Sequence, residues 1–208
     1  MSDTTMPIDA LIDALGRDDA IIDSLAQAGE LALLRLLERL ELGTLLAPED
    51  VHPDDFMDAL TRAFGRLTTL NPQAFLDEVE ARGLQRFIFL LWAMKSIDDP
   101  QHTERIVVLA SAAYRKGKTG GERWAAVHLL EGHAEPRSVR TLVRALGDRD
   151  HAVQFAAIEA LARVGDEQAI APLQALLGRR WIDEHAGFPR AINEALSAIE
   201  DRRAVAPE

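Results

Sequence analysis

The stretch Ala152-Val-Gln-Phe-Ala-Ala-Ile-Glu-Ala-Leu-Ala-Arg-Val-Gly-Asp166 decides the fold. Its apolar residues at 153, 156, 157, 160, 161 and 164 follow the i, i+3, i+4 spacing of one helix face, and Gly165 ends the pattern. That face carries Val, Ala, Ala, Ala, Leu and Val. The small side chains let a neighbouring helix approach closely, while Leu173, Leu176 and Leu177 of the next helix fill the space between layers. A single helix pair cannot bury such a stripe, so further pairs must stack on it.

The chain supplies those pairs. Trp124-Ala-Ala-Val-His-Leu-Leu130 aligns with Phe155-Ala-Ala-Ile-Glu-Ala-Leu161 at an offset of 31. The same offset carries Val139 onto Ile170, Leu142 onto Leu173, Leu146 onto Leu177 and Gly147 onto Gly178. Six of the 24 aligned positions are identical, and the ordered series of aromatic, Ala-Ala, Leu, Leu and Gly matters more than the identities. Glu159-Ala-Leu161 then matches Glu194-Ala-Leu196 at an offset of 35, the extra residues falling within Trp181–Gly187.

Residues 138–150, Ser-Val-Arg-Thr-Leu-Val-Arg-Ala-Leu-Gly-Asp-Arg-Asp, followed by the helix of residues 152–166, resemble a HEAT repeat of the short type found in phycobilin lyases and many bacterial proteins. The resemblance covers residues 121–201. It implies an all-α, right-handed α-solenoid of HEAT-like helix pairs. In each pair the first helix takes the outer face, an Asp-rich turn follows, and the second helix lines the concave face. It also implies an Arg two residues before the Ala-Ala pair that ladders with the turn Asp. Arg123 fits that pattern, Gln154 does not, and the third copy reads Pro189-Arg190.

Working outward, residues 1–120 are expected to form an acidic helical region, either degenerate repeats or a cap, ahead of repeats over 121–208. The spacing predicts helices over Pro7–Leu15, Ala20–Ala28, Glu30–Leu42, Asp54–Leu67, Pro72–Gly83, Leu84–Ile97 and Pro100–Tyr114. The basic, glycine-rich segment Arg115–Gly121 is expected to be a flexible joint. Residues 1–100 hold 19 Asp plus Glu against 8 Lys plus Arg, and the rest of the chain is balanced at 15 against 15, so the whole net charge of −11 lies in the first half. Such a balance argues against general nucleic-acid affinity, which needs a cationic surface to release counterions. The most apolar run, Phe87–Met94, is eight residues, far short of the roughly 20 that span a bilayer. Residues 1–6 lack the basic and apolar run of a signal peptide, so a cytoplasmic setting is the expectation.

Catalytic signatures are sparse. With no Cys there is no thiol nucleophile, thiolate zinc site or disulfide framework. Gly117-Lys-Thr119 resembles the end of a phosphate-binding loop, but Ala112 stands where its other Gly is needed and no strand precedes it. The six His form no tight ligand pair; His128 and His133 lie five apart. His185 beside Asp183 and Glu184 is read as a hydrated loop. The acidic pairs at 18–19, 49–50, 54–55 and 98–99 stand near helix starts, where capping explains them. No metal, cofactor or enzymatic role is expected.

By the repeat register Trp124, Phe155 and Arg190 correspond, and the resemblance places that position on the concave surface. With His128, Glu159 and Arg163 they form the candidate partner-binding face, in the aromatic-plus-Arg composition of interaction hot spots. The alternative is that Trp124 and Phe155 are covered by the N-terminal half or tucked between layers. The expected function is a non-enzymatic protein-interaction module or adaptor. One version captures a basic partner, in the manner of an inhibitor or immunity protein, through the acidic first half including Asp54, Asp55 and Asp58. Two other readings come from the resemblance: a tetrapyrrole-handling protein like the phycobilin lyases, with Trp124, Phe155 and His128 lining a pigment pocket, or a DNA-binding protein using Arg137, Arg140, Arg144 and Arg149.

Overall fold

The computed structural model describes residues 6–84, 87–133, 135–177, 179, 182 and 187–205. They form twelve α-helices and one short 3-10 turn, with no strand among the described residues. The chain divides into two compact units, Met1–His102 and Thr103–Glu208. The division precedes the boundary expected at 120/121.

Unit 1 holds α1 (Ile8–Asp13), α2 (Ala20–Ala28), α3 (Glu30–Glu41), α4 (Pro53–Leu70), α5 (Pro72–Ala81) and α6 (Ile88–Met94). The long α4 packs against α2, α3, α5 and α6 and buries Phe56, Leu60, Phe64 and Leu67 on one face. Phe64 meets Phe89 of the apolar run at 5.5 Å between ring centroids. That run is helical from Ile88 to Met94, with Phe87 extended as its N-cap, and it buries Leu90, Leu91, Ala93 and Met94 but exposes Ile88. The α3 stripe buries Leu33, Leu36 and Leu37, whereas Leu31, on the opposite side, is exposed. Gly16 turns the chain between α1 and α2 at φ +89°, and a Cβ there would come within 2.7 Å of Val51 Cγ1, so both conformation and close approach require glycine.

The acidic helix starts have several jobs. Asp18 and Asp99 each accept a backbone N–H two residues on, at 2.9 and 3.0 Å. His52, ahead of Pro53, accepts from Asp54 N–H as the cap of α4, leaving Asp54 and Asp55 in its first turn, where the helix dipole favours them. Asp19 and Asp50 are instead taken up by Arg62 and Arg17.

Unit 2 begins within α7 (Pro100–Lys116) and continues through α8 (Gly120–Glu131), α9 (Pro136–Ala145), α10 (His151–Val164), the 3-10 turn Glu167–Ala169, α11 (Ile170–Gln174) and α12 (Gly187–Val205). These are stacked helix pairs, the α-solenoid arrangement. α7 and α9 lie side by side in a first layer, joined by the Ser111 and Thr141 hydroxyls at 2.9 Å and by Arg137 to Glu104 at 3.1 Å. α8, α10 and α12 form a second layer with α10 in the middle, and α9 packs on both α8 and α10. Because α10 is covered from several sides, its buried arc is wider than one stripe. Gln154 and Ile158 are buried along with Val153, Ala156, Ala157, Ala160 and Leu161, leaving a surface strip at 155, 159 and 163.

The glycine-rich segment is a packed turn rather than a flexible joint. A Cβ on Gly117 would lie 2.7 Å from Arg123 Cγ, and one on Gly120 would collide with the Asp150 carboxylate. Thr119 caps α8 in a reciprocal box with Glu122, whose carboxylate also accepts Lys118 N–H at 2.6 Å. At the other end of the array, Arg202 of α12 donates to the carbonyls of Leu161, Ala162 and Gly165, satisfying the C-terminal acceptors of α10.

Candidate functional site

Three features of unit 2 bear on function: a buried ion pair that fixes the first two second-layer helices, a surface row across that layer, and a basic groove in the first layer.

The buried pair lies beneath the packed turn. Arg123 of α8 makes two parallel bonds to Asp148, Nε to Oδ2 and Nη2 to Oδ1, both 2.8 Å, with the side chains 9% and 4% exposed. Its Nη1 reaches the Thr119 carbonyl at 3.0 Å. Burial by itself pushes the Asp148 carboxyl up, but hydrogen bonds from Arg123, the Asp150 backbone and Tyr114 outweigh it and hold the group below the usual carboxylate range. The same burial, with Asp148 beside it, pushes the Tyr114 phenol up to about 12.

The expected ladder therefore forms at one rung. At the equivalent place in α10, Gln154 Nε2 donates to the Asp148 carbonyl, and its buried Oε1 has no partner. The offset of 31 puts Arg179 where Asp148 stands, so the second copy has no turn Asp for a laddering Arg.

The surface row contains every residue of the candidate face. Trp124 is 36% exposed, and its indole stacks on His128 with centroids 5.4 Å apart and planes 6° off parallel. His128 Nδ1 lies 2.7 Å from Glu131 Oε2, and Glu131 Oε1 lies 2.6 Å from Arg163 Nη1 of α10. Glu131, its side chain only 10% exposed, thus ties the Trp124–His128 stack on α8 to Arg163 on the next helix. The repeat register pairs it with Ala162, which conceals in the sequence a role confined to one copy.

Phe155 is half-buried, its ring edge-on to Phe188 of α12 at 5.1 Å, and His151 meets the same Phe188 at 6.5 Å. Glu159 is exposed in mid-helix, and Arg190 is exposed 3.8 Å from Glu194. The structure thus joins Trp124, His128 and Arg163 through Glu131, and gives Phe155 a separate aromatic contact with α12. The insertion carrying Asp183, Glu184 and His185 lies outside the described residues.

The basic groove is a cavity of about 420 Å³ lined by Val108, Ser111, Arg115, Arg137, Arg140, Thr141 and Arg144. Arg149 is not among these; its guanidinium donates to the Lys118 carbonyl at 2.8 Å, beside the glycine turn. The four Arg grouped by sequence therefore separate, and Arg115 of α7 takes the fourth place.

Residues 108–187 match the family model for HEAT repeats, a segment running from within α7 to the first residue of α12. No curated protein matches the chain. HEAT repeats generally mediate protein–protein interaction, and proteins of the family are typically non-catalytic scaffolds. Among the described residues no helix is long and apolar enough to cross a membrane.

Proposed function

We propose that unit 2 is a non-enzymatic interaction module of the cytoplasm, and that the row Trp124, His128, Phe155, Glu159, Arg163 and Arg190 holds a protein partner. The observation that carries this reading is the immobilised Trp124. A partly exposed indole gains most on burial by a partner when its own rotamer is already held, and here the His128 stack and the Glu131 link to Arg163 hold it. The row mixes aromatic, anionic and cationic groups, so it suits a specific protein surface better than a uniform polyelectrolyte.

The partner is proposed to be basic, captured in the manner of an inhibitor or immunity protein. The excess of carboxylates in the first hundred residues supports this, because six described arginines of unit 1 already lie within 4 Å of a carboxylate and Asp54, 94% exposed at its side chain, adds to the surplus. Long-range attraction of this kind raises the association rate and weakens as salt rises.

Affinity capture at low and high salt tests the reading, with wild type compared with Trp124→Ala. A basic protein retained by wild type at low salt, and lost with Trp124→Ala while the variant melts as wild type does, is the expected result. Capture that ignores the substitution excludes this row as the binding face.

A further inference from the structure

We propose that the groove between α7 and α9 is a binding site for a short chain of linked phosphates, free or carried by a nucleotide. Arg137, Arg140 and Arg144 stand at i, i+3 and i+7 on one face of α9, spanning about 10 Å along its axis, so one extended anion can meet each guanidinium in turn. Arg115 closes the groove from α7. Ser111 and Thr141, whose hydroxyls lie 2.9 Å apart, add polar groups to its lining.

Charge distribution sets this grouping apart from the arginines of unit 1. In unit 1 the described arginines each have a carboxylate within 4 Å. In the groove only Arg137 does, through Glu104, and among the described residues no carboxylate lies within that distance of Arg115, Arg140 or Arg144. The lining itself contains no carboxylate. Four guanidiniums that repel one another are stabilised together by a multivalent anion, and their forked donors match phosphate oxygens two at a time. The volume falls within the range of small-molecule sites, roughly 300–1,000 Å³.

A compact anion fits better than a nucleic acid duplex. A small ligand senses the groove within a Debye length of about 8–10 Å, whereas a long polyanion meets the field of a chain whose net charge is −11.

Calorimetric titration with tripolyphosphate, ATP, sulfate and a duplex oligonucleotide tests the site on the full chain. Tripolyphosphate should bind at least about tenfold tighter than sulfate, and Arg140→Ala/Arg144→Ala should weaken it by about tenfold or more. Arg115→Ala, on the other wall, should weaken it in the same direction, and Trp124→Ala should leave it unchanged. Equal affinity for ATP and tripolyphosphate would mean that only the phosphate chain is read, and tighter ATP would mean that the nucleoside adds contacts; both support the site. Sulfate binding as well as tripolyphosphate overturns it, as does full binding by the variants. Arginine-dependent duplex binding without tripolyphosphate binding overturns it too and assigns the groove to nucleic acid.

Discussion

The two units spend their arginines differently. In unit 1 Arg17, Arg35, Arg39, Arg62, Arg66 and Arg82 lie at the surface or half-buried against carboxylates, several from a different helix: Arg35 to Asp9, Arg39 to Asp13, Arg62 to Asp19 and Arg82 to Glu41. In unit 2 one arginine, Arg123, is buried in a bidentate pair, one reaches Glu131 beside an exposed tryptophan, and a group of four surrounds a groove. The first pattern decorates a core that apolar burial has already built. The second places charge where its removal, or its neutralisation by something else, has consequences.

The largest expected effect is at the buried pair. Arg123→Ala leaves the Asp148 carboxylate buried without its bidentate donor and should cost about 3–5 kcal/mol in urea unfolding. Leu161→Ala in the fully covered face of α10 should cost about 2–5 kcal/mol through the cavity it opens. If Arg123→Ala costs no more than a surface pair, the distinction between the units fails.

Titration sharpens the same comparison. Asp148 has its folded pKa lowered, so its contribution is present above the unfolded value near 3.8 and is lost as pH falls through the folded one. Tyr114 has its folded pKa raised from 10.0 to about 12, so its contribution is full below pH 10 and is lost as pH rises toward 12. Thermal melts across both limbs should show losses that Asp148→Asn and Tyr114→Phe respectively remove.

Smaller effects belong to unit 1. Arg62→Ala breaks pairs to Asp19 and Asp58 whose side chains are 78% and 70% exposed, and should cost no more than about 1 kcal/mol, shrinking further in salt. Smallest in stability, Trp124→Ala should shift the melting midpoint little, since the indole is partly exposed, while abolishing partner capture.

How far these features could be read beforehand follows from what a linear pattern encodes. The α10 stripe, the 31-residue offset and the start of α5 at Pro72 depend on local spacing and backbone chemistry, and they are legible. The behaviour of Arg115–Gly121 is not, because glycines that permit flexibility and glycines that admit Arg123 and the Asp150 carboxylate look alike until the neighbours are in place. Glu131 was invisible for a similar reason. It acts only through partners on its own helix and the next, and repeat alignment highlights what copies share. Arg115 belongs to the groove through the packing of α7 beside α9, which no local spacing encodes.

Placing photoreactive benzoylphenylalanine at the exposed Ala152, three residues before Phe155 on α10, with Trp124 kept in place, and the same group at the exposed Gln174 of α11 as control, tests the interaction row most directly. Irradiation of cells should yield one discrete protein adduct from position 152 and none from 174. Adducts from both positions alike, or from neither, would contradict a partner seated on the Trp124 row.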